Sequence, residues 1–262
     1  MMAVPVYKPT TDNVIKLSVV NGKLSKKQEV RYNKDGSVDK RHTNKVAGVS
    51  SEVYPFTTEE EIKSMINVFN KRIDDATNAN QRQIACRNKM LFLIGINLSL
   101  RISDLVTLKW NFFFKDDMTF RDSYKIQPKK TKKTGKFVTL YFNEVVKRAI
   151  LEYIEQYPIE DMDAYVFKSR EGTGAVIERS VWKIIVNAAS EAGIEHNVGT
   201  HSLRKTFGYH VWQNADDKEK ALVMLMVIFN HASVATTKKY IGIMSEEVED
   251  IFNGLNLGLD LI

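Results

Sequence analysis

Between Gly199 and Ile243, His201, Arg204, His231 and Tyr240 supply two imidazoles, a guanidinium and a phenol, with no accompanying cluster of carboxylates or cysteines. His201 and Arg204 stand three residues apart in G-T-H-S-L-R-K-T-F-G-Y-H, one turn of a helix, so a single face would present both. His231, in F-N-H-A-S-V, precedes Tyr240 of A-T-T-K-K-Y-I-G-I by nine residues. The set suits an oxygen nucleophile attacking a phosphate. Such a reaction needs a placed hydroxyl, neutralisation of charge on the nonbridging oxygens, and a proton for the leaving oxygen. Arginine meets the second need, because its planar fork bonds phosphate in pairs and keeps its charge. A phenol, with a free pKa of about 10, must lose its proton during attack or be stabilised by cations. A metal is not expected, since the histidines lack the close His or Cys spacing and nearby carboxylates of ligand sets. Taken singly, His201 and His231 read better as core imidazoles and Tyr240 as an amphipathic helix residue. His196 and His210 fall outside the motif and are read as structural.

Further candidates lie upstream. Arg101 sits in L-S-L-R-I-S-D-L, and Lys133 in the lysine-rich P-K-K-T-K-K-T-G-K. The ordered set Arg101, Lys133, His201, Arg204, His231 and Tyr240 resembles the signature of the tyrosine recombinases (phage-type integrases) over about residues 55–243. That signature is an early Arg, a hairpin Lys, His-x-x-Arg, a His or Trp, and a nucleophilic Tyr. The resemblance implies that Tyr240 attacks the scissile phosphate, leaving a 3′-phosphotyrosyl bond and a free 5′-hydroxyl. His201 would accept the proton, His231 would donate to a phosphate oxygen, and Lys133 would protonate the departing oxygen. Lys132 and Lys130 compete with Lys133 for that role. The covalent link conserves the ester bond, so no cofactor is expected. The family often has Leu-Gly-His where this chain has Phe229-Asn230-His231; an Asn tolerates a left-handed turn there.

The elements that must position these residues are mostly helical. Thr58-Glu59-Glu60-Glu61 reads as a capping box ahead of Ile62, Met65, Ile66 and Phe69 at helical spacing. Helices are expected over about 82–98, in a short segment from Arg101, and over 143–156, 178–192, 201–213, 218–230 and 233–241. Gly193 would close the 178–192 helix as a C-cap. Asp104, three residues on from Arg101, lies within reach of its guanidinium as a supporting group. β-Prone stretches are Asn111 to Phe114, Tyr124 to Gln127 and Phe137 to Tyr141, the last two flanking the lysine-rich tip. The fold class is therefore mainly α with a small antiparallel β-hairpin, and the resemblance implies the tyrosine recombinase catalytic-domain fold.

With 262 residues, 44% of them hydrophobic, the chain can bury a sizeable core. Its net charge is +6, but residues 1–54 carry ten Lys/Arg against five Asp/Glu, so nearly all of the surplus lies there. A basic balance favours a polyanionic partner, and the rest of the chain needs a local patch to meet one. Double-stranded DNA is the expected partner, with Lys129, Lys130, Lys132, Lys136, Lys205, Lys238 and Lys239 as backbone contacts. Residues 1–54 form a basic arm, partly disordered or folded as a small hairpin in which Ser18–Val20 pairs with Val30–Tyr32 around Asn21-Gly22. They hold no amphipathic helices from which to build the helical clamp that many integrases carry there. Residues 55–262 form the catalytic domain. Its end carries Val248, Ile251, Phe252 and Leu255 at helical spacing, a segment (about 245–255) that folds back or docks on a neighbouring protomer. One cysteine, Cys86, read as a buried thiol, and an N-terminus without a signal-like apolar stretch point to a soluble intracellular protein, and the resemblance implies the cytoplasm or nucleoid of a bacterium or a phage-infected host. The longest apolar run, Ala221 to Phe229, is too short to span a bilayer.

The resemblance implies a site-specific recombinase acting through a Holliday junction as a homotetramer on DNA, monomeric when free. Two rivals share much of the pattern: a type IB topoisomerase, which would relax DNA without a defined site, and a DNA-binding accessory protein that does not cut.

Overall fold

A short hairpin opens the chain. In the computed structural model, β1 (Leu17–Val20) pairs antiparallel with β2 (Lys23–Lys26), Val20 opposite Lys23, leaving only Asn21 and Gly22 between them. The partner strand is therefore the adjacent segment rather than Val30–Tyr32. An Asn-Gly pair is a favoured sequence for a two-residue hairpin loop, and such a loop pairs the segments immediately flanking it. Apart from these strands, the structure describes residues 52–130, 135, 137–243 and 252–253. The chain divides into two compact units, residues 1–51 and 52–262.

The second unit is helical. Its elements are α1 (Glu59–Asp74), α2 (Ala79–Asn97), the single turn α3 (Ile102–Leu105), the hairpin β3 (Ser123–Ile126) and β4 (Val138–Tyr141), then α4 (Glu144–Gln156), α5 (Glu178–Glu191), α6 (Thr200–Gln213), α7 (Lys218–Phe229) and α8 (Val234–Ile241). Polar caps fix most starts. Thr58 and Glu61 form a reciprocal capping box at α1, and the side chains of Asn78, Asn143, Asp217 and Ser233 each accept a first-turn N–H of α2, α4, α7 and α8. β3 and β4 pair antiparallel, with Ser123 opposite Tyr141 and Ile126 opposite Val138.

The stretch read as a strand at Asn111–Phe114 is instead a 3-10 turn over Trp110–Phe112. Trp110, Phe113 and Phe114 are buried while Asn111 and Phe112 are half-buried, so burial recurs at i, i+3 and i+4, the spacing of a helical turn rather than the alternation of a strand. Cys86 is buried, as expected of an unpaired thiol.

Two apolar clusters organise the domain. The larger joins α1, α2, α4 and α5 around Phe56, Phe69, Phe92, Phe113 and Phe167. The smaller, Tyr209, Leu222, Leu225, Phe229, Ile241 and Ile243, locks α6, α7 and α8 together. Two glycines let α6 approach its neighbours. A Cβ at Gly95 on α2 would come within 2.8 Å of Leu203, and one at Gly208 on α6 within 2.6 Å of Ile241 and 2.8 Å of the Phe229 ring. The His-x-x-Arg helix is thus held between α2 and the α7–α8 pair. Among the described residues no single helix is long and apolar enough to cross a membrane.

Candidate active site

Arg101 is the N-cap residue of α3, half-buried where α2 ends. His201 and Arg204 project from the first turns of α6, His231 follows the C-terminus of α7, and Tyr240 lies in the last turn of α8. Asn230, which ends α7, has φ 52° and ψ 52°, so the left-handed turn expected there is present and swings His231 back towards α8.

Tyr240 is the centre of the cluster. Its hydroxyl lies 3.3 Å from Nδ1 of His201. The His201, His231 and Phe229 rings meet the phenol edge to face, at 6.4, 5.0 and 5.4 Å between centroids. Burial pushes the phenol above its ordinary pKa, while the charges of Arg204 and Arg101 pull it down. Although the His201 ring keeps a solvent-facing edge, its pKa is lowered, first by desolvation and then by Arg204, Lys205, Arg101 and Lys130. His231 is lowered by burial and by Arg204, Arg101 and Lys130. Both imidazoles are therefore neutral at pH 7, and His201 can accept the phenolic proton.

Arg204 is buried and held on two sides. One guanidinium nitrogen donates to the carbonyl of Ser99 and the other to the carbonyl of Phe229 at 3.2 Å, with the group 4.5 Å above the Phe229 ring. Ser99 adopts a positive φ of 55°, which turns its carbonyl towards the arginine. Desolvation lowers the Arg204 pKa to about 10, opposed by Tyr240, so it remains charged at neutral pH. Besides these two backbone bonds it hydrogen-bonds the Tyr240 side chain, and its remaining N–H groups can meet a phosphate.

Asp104 departs from the sequence reading. Among the described residues no ion pair joins it to Arg101. Its buried carboxylate accepts the Lys129 N–H at 2.9 Å, which ties down the base of the lysine-rich hairpin, and its charge acts on Arg204. Lys129 and Lys130 are exposed, and Lys130 is near enough to depress both histidines. Lys132, Lys133 and Lys136 lie outside the described residues. Lys239 is exposed, and Lys238 is half-buried and pairs with Glu219 at 3.7 Å.

Lys205 is not at the open surface where a phosphate contact would place it. Its side chain is 6% exposed, its ammonium 3.4 Å from Glu52 and 5.5 Å from the centre of the Tyr240 ring. His196 and His210 are structural, bonded to Glu61 at 2.9 Å and to the Phe56 carbonyl at 3.0 Å. Sequence reasoning missed Ser99, Phe229, Thr237 and Glu52 as supports. Thr237 is fully buried, with its hydroxyl 3.1 Å from Nδ1 of His231. A cavity of about 720 Å³ lined by Arg87, Trp110 and Tyr153 shares no residue with this cluster.

Two arginines and two neutral imidazoles around a phenol, on a helical domain with one small hairpin, define a tyrosine recombinase catalytic domain. The comparison with known families agrees: residues 55–247 match the phage integrase family, and the chain belongs to it. The tyrosine recombinases of this family cleave and rejoin DNA by transesterification. The chain is 35% identical over 172 residues to a probable integrase/recombinase, YoeC, of Bacillus subtilis, covering 64% of this chain and 86% of that one. It is 27% identical over 175 residues to the tyrosine recombinase XerD of Caulobacter vibrioides, covering 64% of this chain and about half (52%) of the relative. Among solved structures, the fold resembles XerA recombinase (TM-score 0.54, 19% identity, 80% of this chain and 66% of that one). It also resembles XerH bound to a palindromic difH substrate in a post-cleavage complex (TM-score 0.53, 18% identity, 85% and 59%).

Proposed function

We propose that this chain is a site-specific DNA recombinase in which Tyr240 attacks a backbone phosphate and stays joined to the 3′ end until a second strand displaces it. The observation that carries the reading is the Tyr240 hydroxyl 3.3 Å from Nδ1 of His201, within the field of Arg204 and Arg101. In the first step the phenol oxygen forms a bond to phosphorus as the bond to the 5′ oxygen breaks. His201 takes the phenolic proton, and a hairpin lysine, Lys133 or one of its competitors Lys132 and Lys130, gives a proton to the 5′ oxygen. Arg101 and Arg204 carry the charge that builds on the nonbridging oxygens, and His231 donates to one of them. Each donor aimed at that charge is worth about 3–4 kcal/mol, a factor of about a hundred or more in rate.

Rejoining reverses the sequence with the 5′-hydroxyl of the partner duplex as nucleophile, one strand pair at a time through a Holliday junction. Lys129, Lys130, Lys132, Lys136 and Lys239 would follow the phosphates flanking the site, and Asp104 would steady the hairpin from which most of them project. A homotetramer on DNA fits this order. Phe252, 72% exposed, supports a C-terminal segment that seats on a neighbouring protomer, and the exposed Val223, Met224 and Val227 on one face of α7 offer a surface to receive it.

The test is covalent trapping. A nicked duplex that loses its 5′ fragment after cleavage should accumulate a protein–DNA adduct with the wild-type chain and none with Tyr240→Phe. Sequencing the joined DNA ends, recovered from cells, then supplies the site. Adduct formed equally by Tyr240→Phe would remove Tyr240 as nucleophile. Product that needs only one DNA molecule and no defined sequence would make the chain a topoisomerase.

A further inference from the structure

Buried lysines are costly unless paired, and Lys205 is buried in the wall of the site. It follows His201 by four residues on α6, so the two side chains leave the same face, and that face meets α8. His201 reaches the hydroxyl end of Tyr240, whereas the Lys205 ammonium lies over the ring, 5.5 Å from its centre, within the range of a cation–π contact.

What fixes the ammonium there is a strap, residues 52–57, through which the chain enters the domain. Glu52 pairs with Lys205 at 3.4 Å, and its carbonyl accepts from the Asn197 side chain at 2.6 Å. Tyr54 donates to the Asn197 carbonyl at 2.9 Å, Phe56 donates to the Thr206 hydroxyl at 2.8 Å, and His210 bonds the Phe56 carbonyl at 3.0 Å. A Cβ at Gly199, the N-cap of α6, would lie 3.1 Å from Val53, and one at Gly242, the C-cap of α8, would lie 3.7 Å from Pro55. The strap thus packs on the start of the His-x-x-Arg helix and on the end of the tyrosine helix at once.

We propose that Lys205, clamped by Glu52, is a positioning residue that holds the Tyr240 ring for attack, so that the strap leading in from residues 1–51 sets the aim of the nucleophile. The inference rests on the recombinase reading for its functional meaning. Lys205 also acts on His201, together with Arg204 on the same helix, Arg101 ahead of α3 and Lys130 on the hairpin, while Tyr240 faces His201 from α8. Removing the Lys205 charge takes away one of four cations that keep His201 unprotonated.

Single-turnover adduct formation on the nicked duplex, at saturating DNA, tests the proposal with Lys205→Met, Lys205→Arg and Glu52→Gln. Lys205→Met should slow adduct formation about tenfold, the scale of a desolvated cation–π contact, without changing the half-saturating DNA concentration. Its acid limb should move to higher pH, and that of Glu52→Gln should not. Lys205→Arg should restore most of the rate. Glu52→Gln should lose several-fold, and the double variant should be no slower than Lys205→Met, because both changes cut one link. The ring ¹³C signals of Tyr240 in the DNA-free protein should move in Lys205→Met and Glu52→Gln, a readout that needs no cleavage. Wild-type rates with unmoved Tyr240 signals would overturn the proposal. So would a defect confined to DNA affinity with a shallower salt dependence, which would make Lys205 a phosphate contact. Should Lys205→Met fail to fold, the Lys205→Arg and Glu52→Gln comparisons decide. Tyr240 signals that move in these variants, while the wild-type chain itself forms no adduct, would sink the recombinase reading and leave the link standing.

Discussion

The Tyr240 phenol is a poor nucleophile in its resting surroundings, because burial holds its proton more tightly than water would. On the proposed reading, attack depends on the acceptor beside it, and the protonation of His201 decides when that acceptor works. A base must be unprotonated, and the His201 pKa lies below the ordinary 6.5. The rate of adduct formation should therefore hold steady from neutral pH down past 6.5 and fall only below it. A stopped-time pH series on the trapped complex reads this directly, and a midpoint above 6.5 would show that another group takes the proton. The donor role of His231 turns on Thr237. The threonine has one hydroxyl proton and two candidate acceptors, Nδ1 of His231 at 3.1 Å and the Ser233 carbonyl at 3.3 Å. Only when that proton points at Nδ1 does the neutral ring carry its own proton on Nε2, free to meet a phosphate oxygen. Thr237→Val keeps the shape and removes this control. It should cost about tenfold in cleavage rate, with melting temperature nearly unchanged and adduct yield at long times preserved.

At the scale of elements, the site is a consequence of how closely α6 lies against α7 and α8. Gly208→Ala isolates that dependence. Alanine would favour the helix by up to about 1 kcal/mol, but its methyl would meet Ile241 and Phe229, both fully buried and without room to yield. Overpacking should win, destabilising the fold by about 1–3 kcal/mol in denaturant titration and displacing Tyr240 with α8. A variant as stable as the wild type would mean that the helices slide apart at little cost. The local signals that build these helices are legible in the sequence: the Thr58–Glu61 capping box, the Asn and Ser caps, and the left-handed Asn230 all rest on short-range chemistry. The contacts that aim the chemistry are not legible in that way. Arg204 reaches a carbonyl 105 residues back and another 25 residues ahead, and Lys205 finds Glu52 across 153 residues. Nothing in the local pattern marks Ser99 or Glu52 as a partner. Asp104 shows the same limit, since spacing placed it beside Arg101 and the tertiary fold gives its carboxylate to the Lys129 backbone instead. Asn111–Phe114 fails for another reason: aromatic content suggests a strand, and only the burial of Trp110, Phe113 and Phe114 at helical spacing reveals the turn.

Over the whole molecule, charge and apolar surface are divided along the chain. Almost all of the net positive charge lies in residues 1–54, and the remainder is nearly neutral. Replacing Lys23, Lys26 and Lys27 with Gln should weaken DNA binding alike on specific and unrelated duplexes. It should also lower the slope of log affinity against log salt by up to about 3, while adduct formation at saturating DNA stays within twofold. The apolar surface predicts assembly. Val223, Met224 and Val227 share one face of α7, exposed at 47, 52 and 65%, and Phe252 near the C-terminus is exposed at 72%. Large apolar side chains left open on both a helix face and a terminal segment suit a mutual contact between copies. In a cyclic array each copy would give its C-terminal segment to the next. Truncation after Ser245 removes the donor while leaving Tyr240 and its neighbours in place. The shortened chain should still trap a nicked duplex as a single protein–DNA adduct, because that step needs one active site. It should fail to form the higher-order complex seen by light scattering with the full chain on paired sites, and it should yield no recombinant product. Val227→Glu on α7, which spoils the receiving face and leaves the donor intact, should reproduce the assembly defect. Mixing it with the truncated chain should then give dimers at most, since one interface of the right polarity can form and a closed ring cannot. Normal assembly by the truncated chain would place that apolar face in some other contact.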